Sequence, residues 1–183
     1  MIKRTVASLC LIGTTMLGVA GTHAAGSMRT VHQEGYSITF PSTWQYASSV
    51  KLSNLFSTPA LKRLKADAAG IASADGNAEI AMIVVRGAAG VAAIKRTENT
   101  MMKDGSATTR PIAYSTVKQH GSTYTLAAST FQMKKQKING LIAATTHAGK
   151  TYYFLASAPS DSSVKSKADL AEVSAVLDSI AVH

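Results

Sequence analysis

Apolar and polar residues alternate along Tyr36-Ser37-Ile38-Thr39-Phe40, so three apolar side chains fall on one face of an extended segment. Strand character of the same kind covers Thr30 to Gln33, and Glu34-Gly35 between the two runs reads as the turn of a hairpin. Pro41 cannot donate to a sheet ladder and ends the second strand. Trp44, the only tryptophan, then has room to fold back and close one end of the core, a reading preferred to that of a ligand-stacking platform. EIAMIVVR (79–86) has a different pattern, with Ile80, Met82 and Val84 on one side and Ala81, Ile83 and Val85 on the other. It predicts a strand inside a sheet covered on both faces, or covered by helices on one and by tight packing on the other. From Pro111 onward, segments 111–119, 122–133, 138–147 and 151–158 are each strand-like and predict a four-strand meander. They are joined by His120-Gly121, by a turn around Lys134 to Lys137, and by Ala148-Gly149-Lys150.

Three stretches carry helical spacing. Within 51–70, Thr58 is an N-cap candidate, Pro59 takes the first helical position, Leu61 and Leu64 mark the apolar side, and Gly70 ends the run. Residues 90–104 place Val91, Ile94 and Met101 on one stripe, with Gly105 just past the end. In 167–182, Ser166 is the expected cap, Asp169 favours the first turn, and Leu170, Val173, Leu177 and Ile180 line one face. The expectation is an α+β single domain, mainly an antiparallel sheet with a C-terminal four-strand meander, packed by about three helices.

The first 24 residues change what counts as the domain. Lys3 and Arg4 precede an uncharged stretch from Thr5 to Gly21, and Thr22-His23-Ala24 offers small residues around a cleavage position. That is the layout of a secretory signal peptide at 1–24; an uncleaved membrane anchor is the alternative. Residues 25–29 read as a flexible start and 30–183 as one α+β domain, long enough to bury a core without a staple. Cys10 is the sole cysteine, so the mature chain has none, which excludes disulfides, thiolate nucleophiles and cysteine-based metal sites. Loss of Lys3 and Arg4 lowers the formal charge from +9 to +7, an excess that favours anionic surfaces.

Catalytic motifs do not emerge. There is no G-x-S-x-G elbow, H-E-x-x-H helix, phosphate-binding loop or Rossmann fingerprint. Asp75-Gly76-Asn77 reads as a turn, because no carboxylates follow at calcium-ligand spacing. His32, His120, His147 and His183 lack partners at metal-ligand spacing. His120 and His147 fall at the same end of the meander but about 10 Å apart, too wide for shared coordination. Lys134, Lys135 and Lys137 form a basic hairpin tip at the opposite end. They are the binding residues the sequence nominates, as a docking tip for an acidic surface, against the plainer reading of a solvated turn.

YSITFPSTW near the start of a mature exported domain resembles the start of PsbP-like and DcrB-like proteins, in which a strand ends in Phe-Pro and an aromatic residue follows. YYFLASAPSD (152–161), followed by a helix closing on Leu177-Asp178-Ser179-Ile180, is similar to their final strand and helix. The resemblance covers most of residues 30–182 and implies an α+β fold shared with the Ran-release factor superfamily. It implies accessory proteins rather than enzymes, and it carries over no functional residue. The reading is therefore an exported, periplasmic or secreted, non-enzymatic accessory or binding protein that acts through a protein partner in the envelope. No cofactor, metal or specific nucleic acid is expected, and no transmembrane segment after signal cleavage. The alternative is a basic binder of envelope or extracellular polyanions, and behind it a hydrolase with dispersed catalytic residues.

Overall fold

A computed structural model describes residues 26–49, 66–87, 107–108, 113–133 and 136–183. Strands β1 (Met28–Gln33) and β2 (Tyr36–Pro41) form the hairpin that the alternation predicts, with Gln33 paired to Tyr36 at the turn. Strand β1 starts at Met28, two residues before the expected onset of strand character, and β2 extends through Pro41, which pairs with Met28. Tyr36, Ile38 and Phe40 are buried, as a period of two requires.

The larger sheet takes β3 (Gln45–Ala47), β4 (Ala66–Ala72), β5 (Glu79–Arg86), β6 (Ala107–Thr108), β7 (Ala113–Gln119), β8 (Ser122–Met133), β9 (Gln136–His147) and β10 (Lys150–Pro159). Its order is β3-β4-β5-β10-β9-β8, with β6 and β7 both lying along the outer side of β8. Every pairing is antiparallel. Strands β7 to β10 run as a meander, and β10 then lies beside β5, with Tyr152 opposite Val84 and Phe154 opposite Met82. His120-Gly121 and Ala148-Gly149 both have positive φ at each central residue, the geometry of two-residue turns whose twist matches that of the strands they join.

The packing by about three helices does not hold. Among the described residues there is one helix, α1 (Val164–Asp178). The helix expected within 51–70 is overturned where it is described: Ala66 to Gly70 belong to β4, with Gly70 in mid-strand opposite Ala81. Alanine's local helix preference is small, and the ladder that β5 offers on one side and β3 on the other outweighs it. The rest of that segment, and the helix expected at 90–104, lie outside the described residues.

Helix α1 itself is shifted towards the N-terminus. Ser163, not Ser166, is the cap, its hydroxyl accepting from the Ser166 backbone N–H at 3.1 Å. The helix ends at Asp178 because Ala181 and Val182 form β11, which pairs with Ser37 and Tyr36 and makes a three-stranded sheet β1-β2-β11.

The core lies between this small sheet, α1 and one face of the large sheet. The Tyr36 ring meets Tyr152 and Phe154 edge-on, with centroids 6.2 and 5.6 Å apart. Val173, Val176 and Leu177 supply the helix's contribution. The other face of the large sheet is also apolar and buried at Ile83, Leu155 and Ile142, so β5 and β10 are covered on both faces, as the unbroken apolar run in β5 predicts.

Candidate functional site

The turns that gather at one end of the large sheet bring charged groups together. Lys150 opens β10 and is paired with Arg86 of β5 on one side and His147 of β9 on the other. Residues directly opposite in a ladder share a face, with Cβ atoms about 5 Å apart, so three basic side chains stand in a row. One carboxylate answers them. Glu34, in the β1–β2 turn, accepts from Lys150 Nζ at 2.5 Å. That hydrogen bond holds the Glu34 carboxyl below its ordinary range, and nearby Arg86 adds to the effect. It also raises the Lys150 ammonium, while Arg86 pushes the other way. Both groups are solvated, so the pair steers geometry more than it stabilises the fold.

Gly35 sets the turn in place. Its φ of +86° suits glycine, and a Cβ there would sit 2.2 Å from the Tyr152 hydroxyl oxygen, so the turn rests directly on that ring. Between the turn and β4–β5 opens a cleft of about 340 Å³. Val84, Ala69 and the Tyr36 ring give it apolar surface; Gln33, Asp67, Lys150 and the Ser48-Ser49 pair give it polar groups. Gln33 donates its side-chain amide to the Tyr46 hydroxyl. Burial pushes the Tyr36 hydroxyl far above its usual range and keeps it neutral.

The same end of the molecule holds the C-terminus of α1. Gln119 Nε2 donates to the carbonyls of Leu177 (3.1 Å) and Asp178 (2.5 Å), and His120 Nε2 lies 2.9 Å from the Asp178 carbonyl. The Tyr124 hydroxyl donates to the Ile180 carbonyl at 3.3 Å. The last carbonyls of a helix have no partner within it, and here the β7–β8 hairpin supplies one.

Of the residues nominated from sequence, Lys134 and Lys135 lie outside the described residues. Lys137 is exposed at the opposite end of the sheet, its carbonyl accepting from the Ser160 N–H at 2.8 Å. His120 and His147 are not brought together: the first faces the end of α1, the second stands beside Lys150. Among the described residues no group of three or more metal-ligating side chains forms. Sequence reasoning missed Glu34, Asp67, Arg86 and Lys150. The local signals for them were the Glu34-Gly35 turn, which places Glu34, and the Ala148-Gly149 turn, which fixes Lys150 opposite His147.

The solution structure of cyanobacterial PsbP (CyanoP) from Synechocystis sp. PCC 6803 superposes on this chain with a TM-score of 0.62 at 14% identity, covering 91% of this chain and 99% of that one. The fold is PsbP-like. Two further structures are more distant. One, from Bacteroides thetaiotaomicron VPI-5482, has a TM-score of 0.49 at 11% identity over 86% of this chain and 48% of that one. The other, LpqN, involved in cell envelope biogenesis of Mycobacterium tuberculosis, has a TM-score of 0.46 at 12% identity over 80% and 87%. No protein-family model matches the sequence, and no curated protein does. Identity this low reaches the PsbP-like fold and stops there. Among the described residues no helix is long and apolar enough to cross a membrane.

Proposed function

We propose that this chain is an exported, non-enzymatic accessory protein of PsbP-like fold that acts through protein–protein contacts in the cell envelope. The observation that carries the reading is the likeness to CyanoP along nearly the whole of both chains. Export is supported by the charged start, uncharged core and small-residue site of residues 1–24. A binding role is further supported by how the polar groups are used: Gln119, His120, Asp75 and Lys165 tie elements of the fold to one another.

A second reading has its own observation. The cross-strand row of Arg86, Lys150 and His147, with the +7 charge of the mature chain, favours a binder of envelope or extracellular polyanions.

The experiment is a pull-down with the tagged mature chain from the envelope fraction of its own host, washed at rising salt. A stoichiometric protein partner that survives moderate salt supports the accessory role; retention of polyanion alone, lost between low and physiological salt, supports the second reading. The intact mass of the envelope protein tests export, and a mass that retains residues 1–24 would sink the soluble form.

A further inference from the structure

We propose that two copies of this chain pair through their β7 strands, antiparallel about a two-fold axis at Thr116, so that the large sheet runs on from one molecule into the other. The occupant of the β7 edge is thus a second copy of the chain. The inference goes beyond the accessory role and does not depend on it.

The two edges of the large sheet are built differently. On one side β3 is 3 residues long, and shortness is one of the ordinary protections of an edge strand against pairing with another chain. Strand β7 carries no such device beyond one charge, Lys118. It runs in unbroken register along β8 for 7 residues, with no bulge and no proline. Among the described residues no strand pairs with its other side, and Ala113 to Lys118 are all exposed. Of the exposed large apolar side chains, Tyr114 and Val117 both lie on this strand. Gln119, bonded to the last carbonyls of α1, fixes its end.

The turn that ends β7 decides which backbone groups face outward. His120-Gly121 is a two-residue turn, so Gln119 and Ser122 form a hydrogen-bonded pair. Bonded and non-bonded positions alternate along a strand, so the N–H and C=O of Thr116 and Lys118 point away from β8. With Thr116 opposite itself, the two copies overlap along the whole of β7: Val117 meets Ser115 of the second copy, and Lys118 meets Tyr114. Thr116 then exchanges two backbone bonds with its counterpart, and paired threonines are favourable neighbours in a sheet. The two Lys118 positions stand about 14 Å apart along the strands, beyond the roughly 8 Å at which salt screens exposed charges. Because both copies present the same edge, the pairing closes at two.

Sedimentation equilibrium of the mature chain tests this. An edge-to-edge contact is small beside the about 800 Å² per partner of a stable interface, so reversible dimers with a dissociation constant on the order of 100 μM are expected. Raised salt should not weaken them, since backbone bonds carry the contact. Thr116→Pro removes only a donor that points away from β8, and Thr116→Lys sets two ammoniums opposite each other. Each should weaken the dimer at least about tenfold, while the melting temperature of the dilute monomer shows that the variant is folded. The mature chain has no cysteine, so cross-linking reads the register. The Cα atoms of Thr116→Cys would lie about 5.5 Å apart across the axis, within disulfide reach, and those of Val117→Cys about 7–8 Å apart. The first should cross-link several times more than the second in a glutathione buffer. Equal cross-linking, or a dimer that both Thr116→Pro and Thr116→Lys leave intact, would overturn the proposal. So would a chain still monomeric at about 1 mM, which would leave β7 to a strand from another protein.

Discussion

Trp44 explains the Pro-x-x-Trp spacing at the end of β2. Its N–H donates to the Pro41 carbonyl at 2.9 Å, closing a turn that drops the indole beneath α1. The ring is 3% exposed, and its Nε1 donates to Glu172 Oε2 at 3.1 Å. Trp44→Ala should cost about 3–5 kcal/mol, the range for truncating a large buried aromatic, read as a drop in the urea midpoint. Trp44→Phe keeps most of the burial, removes the bond to the helix, and should cost less. Gly35 is the other residue on which local geometry turns. Gly35→Ala places a Cβ against the Tyr152 hydroxyl and forces alanine to a φ of +86°, so a loss of more than about 1 kcal/mol is expected. Tyr152→Phe removes the closest atom but not the backbone strain. The double variant should therefore recover part of the loss, and additive costs in the two-variant cycle would show that the contact is not the cause.

At the scale of elements, α1 is held at both ends by turns from the large sheet. At its start, Lys165 Nζ donates to Asp75 Oδ2 of the β4–β5 turn at 2.5 Å and to Asp169 within the helix at 3.2 Å. The Asp75 carboxyl is held well below the ordinary carboxylate range, by Lys165 first and then by the Ser73 hydroxyl and the Asn77 N–H. A depressed carboxyl contributes stability that is full above its unfolded pKa and is lost as pH falls through the folded one. Lys165→Met should therefore lower stability at pH 7, by no more than about 1 kcal/mol because the pair is largely solvated. The gap between variant and parent should narrow as pH drops below 3.8. At the helix end, removing the Gln119 amide takes one donor from the Leu177 and Asp178 carbonyls, which keep the Ile180 N–H and the His120 ring as neighbours, and Gln119→Ala should cost no more than about 1 kcal/mol. An unchanged thermal midpoint would mean that water or His120 takes its place.

These two ends also show what could be read from the chain in advance. The X-Gly turns and the alternation in Tyr36–Phe40 are local signals, and β1, β2 and the meander follow from them. Ser163 and Ser166 are equally good caps in isolation; Ser163 takes the role, and the buried Ser166 donates its N–H to it. Ala66 to Gly70 resembles the tail of a helix until β5 is present to pair with it. Strands as short as β3, β6 and β11 have too few residues to show a period. The charged row of Arg86, Lys150 and His147 requires β10 to lie beside β5, a pairing between residues 79–86 and 150–157 that no local pattern encodes.

For the whole molecule, the open question is which kind of contact its charge serves. If the net positive charge, +9 over the full sequence, is the binding device, affinity for an anionic target should collapse with salt, since exposed charges are screened within about 8 Å at physiological ionic strength. Neutralising Lys134, Lys135 and Lys137 together would then weaken binding by a kcal/mol or two, about five- to thirtyfold. Folding stability would be untouched, because exposed charges contribute little to it. If the chain docks on a protein partner through apolar contacts, binding should survive moderate salt and the triple neutralisation should be nearly silent. The second outcome is expected. Lys137 is exposed and forms no ion pair among the described residues, as a solvated turn would have it. Among the described residues, the basic row of Arg86, Lys150 and His147 stands at the far end of the sheet from Lys137 and is partly answered by Glu34. A salt titration of partner binding by the parent and by the triple variant decides between the two, and a steep loss shared by neither would leave the apolar contact as the source of affinity.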